Sequence, residues 1–212
     1  MTTSLKEQEG LFKIIGQKLK QKLEAYVIGG SAMLYYGAKE VTKDIDIVLN
    51  NKKERDSLLS VLKELGFRER PTKMLYFEKK NVPILLQRTE ERIDLFYDTV
   101  IDFKFSNFMK DRITASYEYG NLIVKLTSPE DIIMLKCATE MAGDRLDAAS
   151  LIKLKNIDWE VIMGESILQM GIIGDIVPLA LFDFMCELKE DLKADISQIV
   201  IDKLGNIAEK HL

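Results

Sequence analysis

The chain has 212 residues, 47 % of them hydrophobic and 30 % charged, with a net charge of −4 and a pI near 5.3. That is enough for one domain with a sizeable core, or a core domain with a helical appendage, and it excludes a global basic field for nucleic acid. A single histidine, His211, sits beside the end of the chain, so Ser-His-Asp and Cys-His catalysis and histidine-rich zinc sites are excluded as well.

Residues 3–24 carry Leu11, Ile14, Ile15, Leu19 and Leu23 among Lys, Gln and Glu, a spacing that predicts an amphipathic helix. Residues 25–28 form a short apolar run ending at Gly29-Gly30, which predicts a buried strand and a tight turn. Residues 31–36 predict a short helix stopped by Gly37. Residues 44–49 alternate polar and apolar and predict a strand with Asp44 and Asp46 on one face. A helix is expected over residues 52–65, with Gly66 as its stop. Strands follow at 74–78, 84–87 and 92–97, then a hairpin, 113–119 and 122–126, around Gly120-Asn121. Ser128-Pro129-Glu130 reads as a helix start. Helical pattern then continues to the end, with breaks expected near Gly143, Asn156, Gly164, Gly171 and Gly205. The expected architecture is therefore α+β: a mixed β-sheet with flanking helices over residues 1–127, and a helical C-terminal domain over 128–212 that closes the cleft.

Cys137 and Cys186 lie far apart in apolar stretches and read as buried free thiols of a reducing compartment. With a polar, charged N-terminus and no apolar run long enough to span a bilayer, the expected location is the cytoplasm.

The chemistry is concentrated in Gly29-Gly30-Ser31, twelve intervening residues, and Asp44-Ile45-Asp46. A strand that ends in two glycines and leads into a helix presents bare amides at the positive end of a helix dipole, suited to a triphosphate. The Ser31 hydroxyl is expected to add a hydrogen bond to a phosphate oxygen. Asp44 and Asp46 point the same way, about 6–7 Å apart along the strand, and repel each other unless a cation lies between them. An all-oxygen site selects a hard ion, Mg²⁺ or Mn²⁺. Asp94, between Ile93 and Leu95, is costly to bury alone and is expected to complete the metal site.

Together these residues resemble the signature of the polymerase-beta-like nucleotidyltransferase superfamily. The run through Tyr36-Gly37 to Thr42-Lys43-Asp44 is similar to the branch that contains abortive-infection toxin nucleotidyltransferases and related uncharacterised bacterial and archaeal proteins. Lys136 followed by Asp144 and Asp147 resembles that branch's helix-borne lysine and two acids, so the resemblance covers about residues 25–151. It implies NMP transfer from an NTP to a hydroxyl, with pyrophosphate released. Asp44, Asp46 and Asp94 would be catalytic and metal-binding, and Gly29, Gly30, Ser31 and Lys136 would bind phosphate. It also implies tRNA or a protein as acceptor, and an antitoxin-like partner or a second copy. The chain departs from the branch at Glu40, where an arginine is usual. The alternatives are a nucleotide-binding protein of the same fold without turnover, and an interaction protein of toxin–antitoxin type. By the residues alone, Asp144 and Asp147 could equally cap the helix or pair with Arg145 or Lys153.

Overall fold

The computed structural model describes residues 2–71, 82–139, 141–174 and 176–210. The strand expected over 74–78, with Tyr76 and Phe77, lies outside the described residues, as does His211. In chain order the first part contains β1 (Thr3–Ser4), α1 (Leu5–Lys18), β2 (Leu23–Val27), α2 (Gly29–Tyr36), β3 (Val41–Thr42), β4 (Ile45–Leu49), α3 (Lys52–Glu64) and β5 (Arg68–Glu69). Next come β6 (Ile84–Arg88), β7 (Glu91–Tyr97), β8 (Thr99–Val100), β9 (Phe103–Lys104), α4 (Asn107–Asp111), β10 (Ala115–Tyr119) and β11 (Leu122–Leu126). The helices α5 (Pro129–Lys136), α6 (Ala142–Leu154), α7 (Trp159–Ile173), α8 (Ile176–Glu190) and α9 (Gln198–Glu209) follow. The chain divides into two compact units, Met1–Ser128 and Pro129–Leu212.

The first unit is built on a mixed sheet of strand order β10-β11-β2-β4-β7-β6-β5, with β8 and β9 beside β7. Its centre is β4, antiparallel to β2 and parallel to β7. Both faces of a central strand must be covered, and the sequence shows it. Ile45, Ile47, Val48 and Leu49 of β4 and Ile93 and Leu95 of β7 are all at most 1 % exposed. The sole half-exposed residue of β4 is Asp46. A short two-stranded sheet pairs β1 with β3, Thr3 opposite Thr42, which anchors the loop that leads into β4.

The helix expected over residues 3–24 is shorter than its periodicity suggests. It starts at a capping box, in which the Glu7 amide donates to Ser4 Oγ and the Ser4 amide donates to the Glu7 carboxylate. It ends at Lys18, and Leu19 and Leu23 continue the apolar rhythm as a buried cap and the first strand residue. Burial, not helicity, sets that rhythm. The glycine stops at 37 and 66 have φ of +69° and +93°. In the second unit, Gly143, Gly164, Gly171 and Gly205 all lie inside helices, so no break falls on them. The break expected near Asn156 falls at 155–158, and the others fall at 137–139, 174 and 191–197, since an interior glycine costs only about 1 kcal/mol and packing overrides it.

Gly16 shows how closely α1 meets the β10–β11 hairpin. A Cβ there would lie 1.5 Å from the Tyr119 carbonyl oxygen. The Asn121 amide donates to the Gly16 carbonyl at 3.1 Å, and the Asn121 side chain donates to the Leu19 carbonyl at 2.7 Å. The obstacle is backbone on both sides and cannot rotate away. Gly16→Ala is therefore expected to destabilise the protein by about 3 kcal/mol or more, read as a lower urea midpoint.

In the second unit, Leu151, Leu181, Met185, Leu188 and Leu204 are fully buried, and Met163 is buried with them. Ile167, Ile172 and Ile176 are exposed on α7 and α8. No helix of the described residues is long and apolar enough to cross a membrane. The two cysteines are free and half-buried, and burial pushes the Cys137 thiol up to about 12, so it stays protonated and inert.

Candidate active site

Three segments of the first unit build the site: the turn after β2, the loop into β4, and the first half of β7. Strand register decides the geometry. β4 and β7 run parallel with Ile45 beside Ile93, Asp46 beside Asp94 and Ile47 beside Leu95. Side chains at paired positions share a face, so Asp46 and Asp94 stand next to each other across the strand boundary. The isoleucines and leucine fill the other face. Asp94 is buried at 9 % exposure and Asp46 is half-buried.

Asp44 lies one residue before β4, on the same alternation as Asp46. Its carboxylate turns to Arg92, with Oδ1 3.9 Å from the guanidinium. Both side chains are about two-fifths exposed, so this contact is a weak one. In this arrangement no three acidic, thiol or imidazole side chains among the described residues gather closely enough to hold a metal ion. The structure thus places Asp46 beside Asp94 and turns Asp44 aside.

The glycine turn faces that pair. Gly29 opens α2 with φ of +57°, and a Cβ on it would lie 2.6 Å from Asp46 Oδ2. Ile28, the residue before it, offers no side-chain cap, so the first-turn amides of α2 depend on something other than a cap. The Ile28 amide donates to the Asp46 carbonyl at 3.2 Å, which sets turn and strand at a fixed spacing. A Cβ on Gly30 would lie 2.4 Å from Thr42 Oγ1. Gly29→Ala is expected to cost about 1–2 kcal/mol of left-handed backbone strain and to displace the Asp46 carboxylate. Nucleotide transfer should fall about a hundredfold while the fold survives, as checked by a transfer assay beside urea unfolding.

Ser31 takes a role other than the expected one. It is fully buried; its hydroxyl donates to the Asp44 carbonyl at 3.1 Å and accepts from the Asp46 amide at 3.3 Å. Both interactions stay inside the protein, so Ser31 holds Asp44-Ile45-Asp46 against α2 and does not point at a phosphate. Gln8 of α1 supports the same helix by donating to the Ser31 carbonyl at 3.3 Å.

Lys136 belongs to the helical unit. It is buried, and its ammonium donates to Asp144 Oδ1 at 2.6 Å and lies 2.8 Å from Asp147 Oδ2. The two acids therefore pair with Lys136, in place of Arg145 or Lys153. Arg145 instead bonds Glu187 and the Thr139 carbonyl, each at 2.8 Å. This cluster ties α5 to α6, and the structure gives Lys136 two carboxylate partners where a phosphate was expected.

Arg92 is not among the site residues expected from the sequence. Arg92 was detectable, because it precedes Asp94 by two in a strand and so shares its face. Thr42 touches the site only through a turn between α2 and β4. A separate cavity of about 350 Å³ opens beyond the far end of β7, lined by Arg55, Leu95, Tyr97, Asp98 and Thr99 among others. Its one acid, Asp98, is paired with Lys104.

No curated protein matches the chain. Among solved structures, an antigenic nucleotidyltransferase-like protein from Paracoccidioides brasiliensis is 19 % identical, over 93 % of this chain and 97 % of that one, with a TM-score of 0.50. That likeness shows a shared fold. The lincomycin-bound lincosamide antibiotic adenylyltransferase LnuA is 14 % identical over 72 % of this chain and all of that one, with a TM-score of 0.48. The family model described as "Nucleotidyl transferase of unknown function (DUF2204)" matches residues 7–169, and the chain belongs to that family of nucleotidyltransferases.

Proposed function

We propose that the chain transfers a nucleoside monophosphate from an NTP to a hydroxyl acceptor and releases pyrophosphate, at the Asp46–Asp94 pair. The observation that carries this reading is the register of β4 and β7, which sets two carboxylates side by side, with Gly29 so close that a Cβ on it would meet Asp46 Oδ2.

The donor set fits a divalent cation. It is all oxygen, it comes from two neighbouring strands, and a Cβ on Gly29 would intrude on the Asp46 carboxylate. Asp46 and Asp94 would hold Mg²⁺ or Mn²⁺, and Asp44 would join them by rotating away from Arg92. Such an ion, when bound, neutralises the phosphates and lowers the barrier to displacement at phosphorus.

The residues of the chain do the rest. The first-turn amides of Gly29 and Gly30 bind the phosphate chain, favoured by the helix dipole. Ser31 keeps Asp44 and Asp46 in position. The acceptor hydroxyl oxygen attacks the α-phosphorus, its proton passes to Asp94, and the bond from the α-phosphorus to the bridging oxygen breaks. The electron pair of that bond leaves with pyrophosphate. The acceptor is a hydroxyl of tRNA or of a protein side chain; the acidic pI favours the protein, since a large nucleic acid is held by cationic surface.

The test is incubation with each α-labelled NTP, Mg²⁺ or Mn²⁺, and total tRNA or total protein as acceptor. Label retained in one acceptor fraction, with one pyrophosphate released per label, supports the reading. Pyrophosphate release that is equal in the Asp46→Asn protein defeats it.

A further inference from the structure

Strand β10 lies at one end of the sheet in the first unit, and among the described residues it pairs with β11 alone. The two-residue turn at Gly120-Asn121, with Gly120 at φ of +64°, closes this hairpin on the pair Tyr119–Leu122. In such a hairpin the closing pair exchanges both backbone hydrogen bonds, and every second pair after it does the same. Ala115, Tyr117 and Tyr119 therefore bond to β11. Ser116 and Glu118 turn their N–H and C=O groups to the outer edge, and both residues are exposed. Natural sheets blunt a regular edge with proline, lysine or a covering element. The run Ala115-Ser116-Tyr117-Glu118-Tyr119 contains neither proline nor lysine.

We infer that β10 is the docking strand for a second copy of this chain, the two β10 strands running antiparallel about a two-fold axis at Tyr117. The edge is complementary to itself. The axis sets Ser116 opposite the partner's Glu118, and Glu118 opposite the partner's Ser116. These are the outward-facing residues of both strands, so each pair exchanges both N–H···O bonds. The side chains agree in charge: a carboxylate meets a hydroxyl donor, and Ser116 is itself opposite Lys125 of β11, so the carboxylate enters a row that carries a cation. Moving the axis to Glu118 would oppose two carboxylates, which destabilises a sheet. Moving it to Ser116 would carry Glu118 past the start of the partner's β10. On the other face Tyr117 meets its counterpart at the axis, at the close spacing of a non-hydrogen-bonded pair, about 4.5 Å between Cα atoms. Tyr117 is already stacked on Tyr35, with ring centroids 4.9 Å apart and planes 29° apart, so little side-chain freedom is lost on contact. Within the chain Glu118 meets Lys22 at 3.9 Å, with both side chains 66 % exposed, a contact too solvated to hold the carboxylate back.

Sedimentation equilibrium of the full chain tests this without nucleotide, metal or acceptor. Wild type should pass from 24.3 kDa toward twice that mass as its concentration rises to about 1 mM, which populates even a weak interface. Ser116→Glu puts like charges opposite each other at both ends of the paired segment and should weaken association about tenfold. Ser116→Lys should strengthen it by about as much. Ser116→Glu combined with Glu118→Lys sets opposite charges across the axis again and should recover the dimer. Both positions are exposed, so urea unfolding of each dilute variant should match wild type. A wild type that stays at 24.3 kDa at every concentration overturns the proposal. So does a dimer whose affinity ignores these charges, because it then forms through another surface.

Discussion

Asp46→Asn is expected to lower nucleotide transfer by about a thousandfold or more, with no loss of folding. Asp46 and Asp94 are direct cross-strand partners of a parallel ladder. Like charges directly opposite destabilise a sheet, so the arrangement persists for a reason other than stability. Removing one carboxylate removes the charge that would retain a cation, whose contribution to the transition state is several kcal/mol; about 4 kcal/mol corresponds to about a thousandfold. Asp94→Asn should be at least as damaging, because it also removes the proposed proton acceptor. Without metal, either variant should melt at the wild-type temperature or above it, since a repulsion has been relieved. Addition of Mn²⁺ should raise the melting temperature of wild type and leave that of the variants unmoved. A large fall in the metal-free melting temperature of Asp46→Asn would mean that the carboxylate is structural, and the assignment would not survive it.

Lys136→Met should destabilise the protein by about 3–5 kcal/mol, because it removes the cation from a largely buried ion cluster. The side chains of Lys136, Asp144 and Asp147 are 8 %, 20 % and 13 % exposed. Deleting the cation leaves two half-buried carboxylates close together. Neutralising them as well, in Lys136→Met with Asp144→Asn and Asp147→Asn, should recover most of the loss, because a buried neutral cluster is nearly equivalent to a buried ionic one. The pH dependence follows from the lysine. Burial alone would lower its pKa, but the charges of Asp144 and Asp147 outweigh burial, and the folded value is raised above the ordinary 10.5. A raised lysine pKa means that the folded protein holds the proton more tightly. The stabilisation is thus fully present below pH 10.5 and is lost as pH rises through the folded value. Urea unfolding should show a gap between wild type and Lys136→Met that is steady at neutral pH and narrows above pH 10.5. A gap under about 1 kcal/mol at neutral pH would show that the cluster is solvated and that Lys136 is available to a ligand after all.

Much of the candidate site was legible because it depends on local rules. Strand alternation has a period of two, so Asp44-Ile45-Asp46 declares a shared face without any coordinates. Asp94 between Ile93 and Leu95 declares the cost of its burial. Gly29-Gly30 before a short apolar helix declares bare amides at a helix start, and Gly29 does adopt φ of +57° there. The hairpin at Gly120-Asn121 and the helix start at Pro129 are read in the same way, from turn chemistry that acts within four residues.

Other features escaped because nothing local encodes them. The two-residue strands β1, β3, β5, β8 and β9 are too short to carry a period. The end of α1 was misplaced because Leu19 and Leu23 are buried by different means but in helical rhythm. Ser31 turned inward because two backbone groups of another strand, Asp44 carbonyl and Asp46 amide, were within reach of its hydroxyl. Lys136 found Asp144 and Asp147 through the packing of α5 on α6.

The sequence by itself determined the kinds of groups available, a carboxylate motif on a strand and a glycine turn before a helix, because those follow from backbone periodicity and side-chain size. Only the tertiary structure decided that Asp46 pairs with Asp94 and that Asp44 leans to Arg92. These contacts join residues about fifty positions apart, and their distances are set by strand register and loop closure, which are properties of the packed whole.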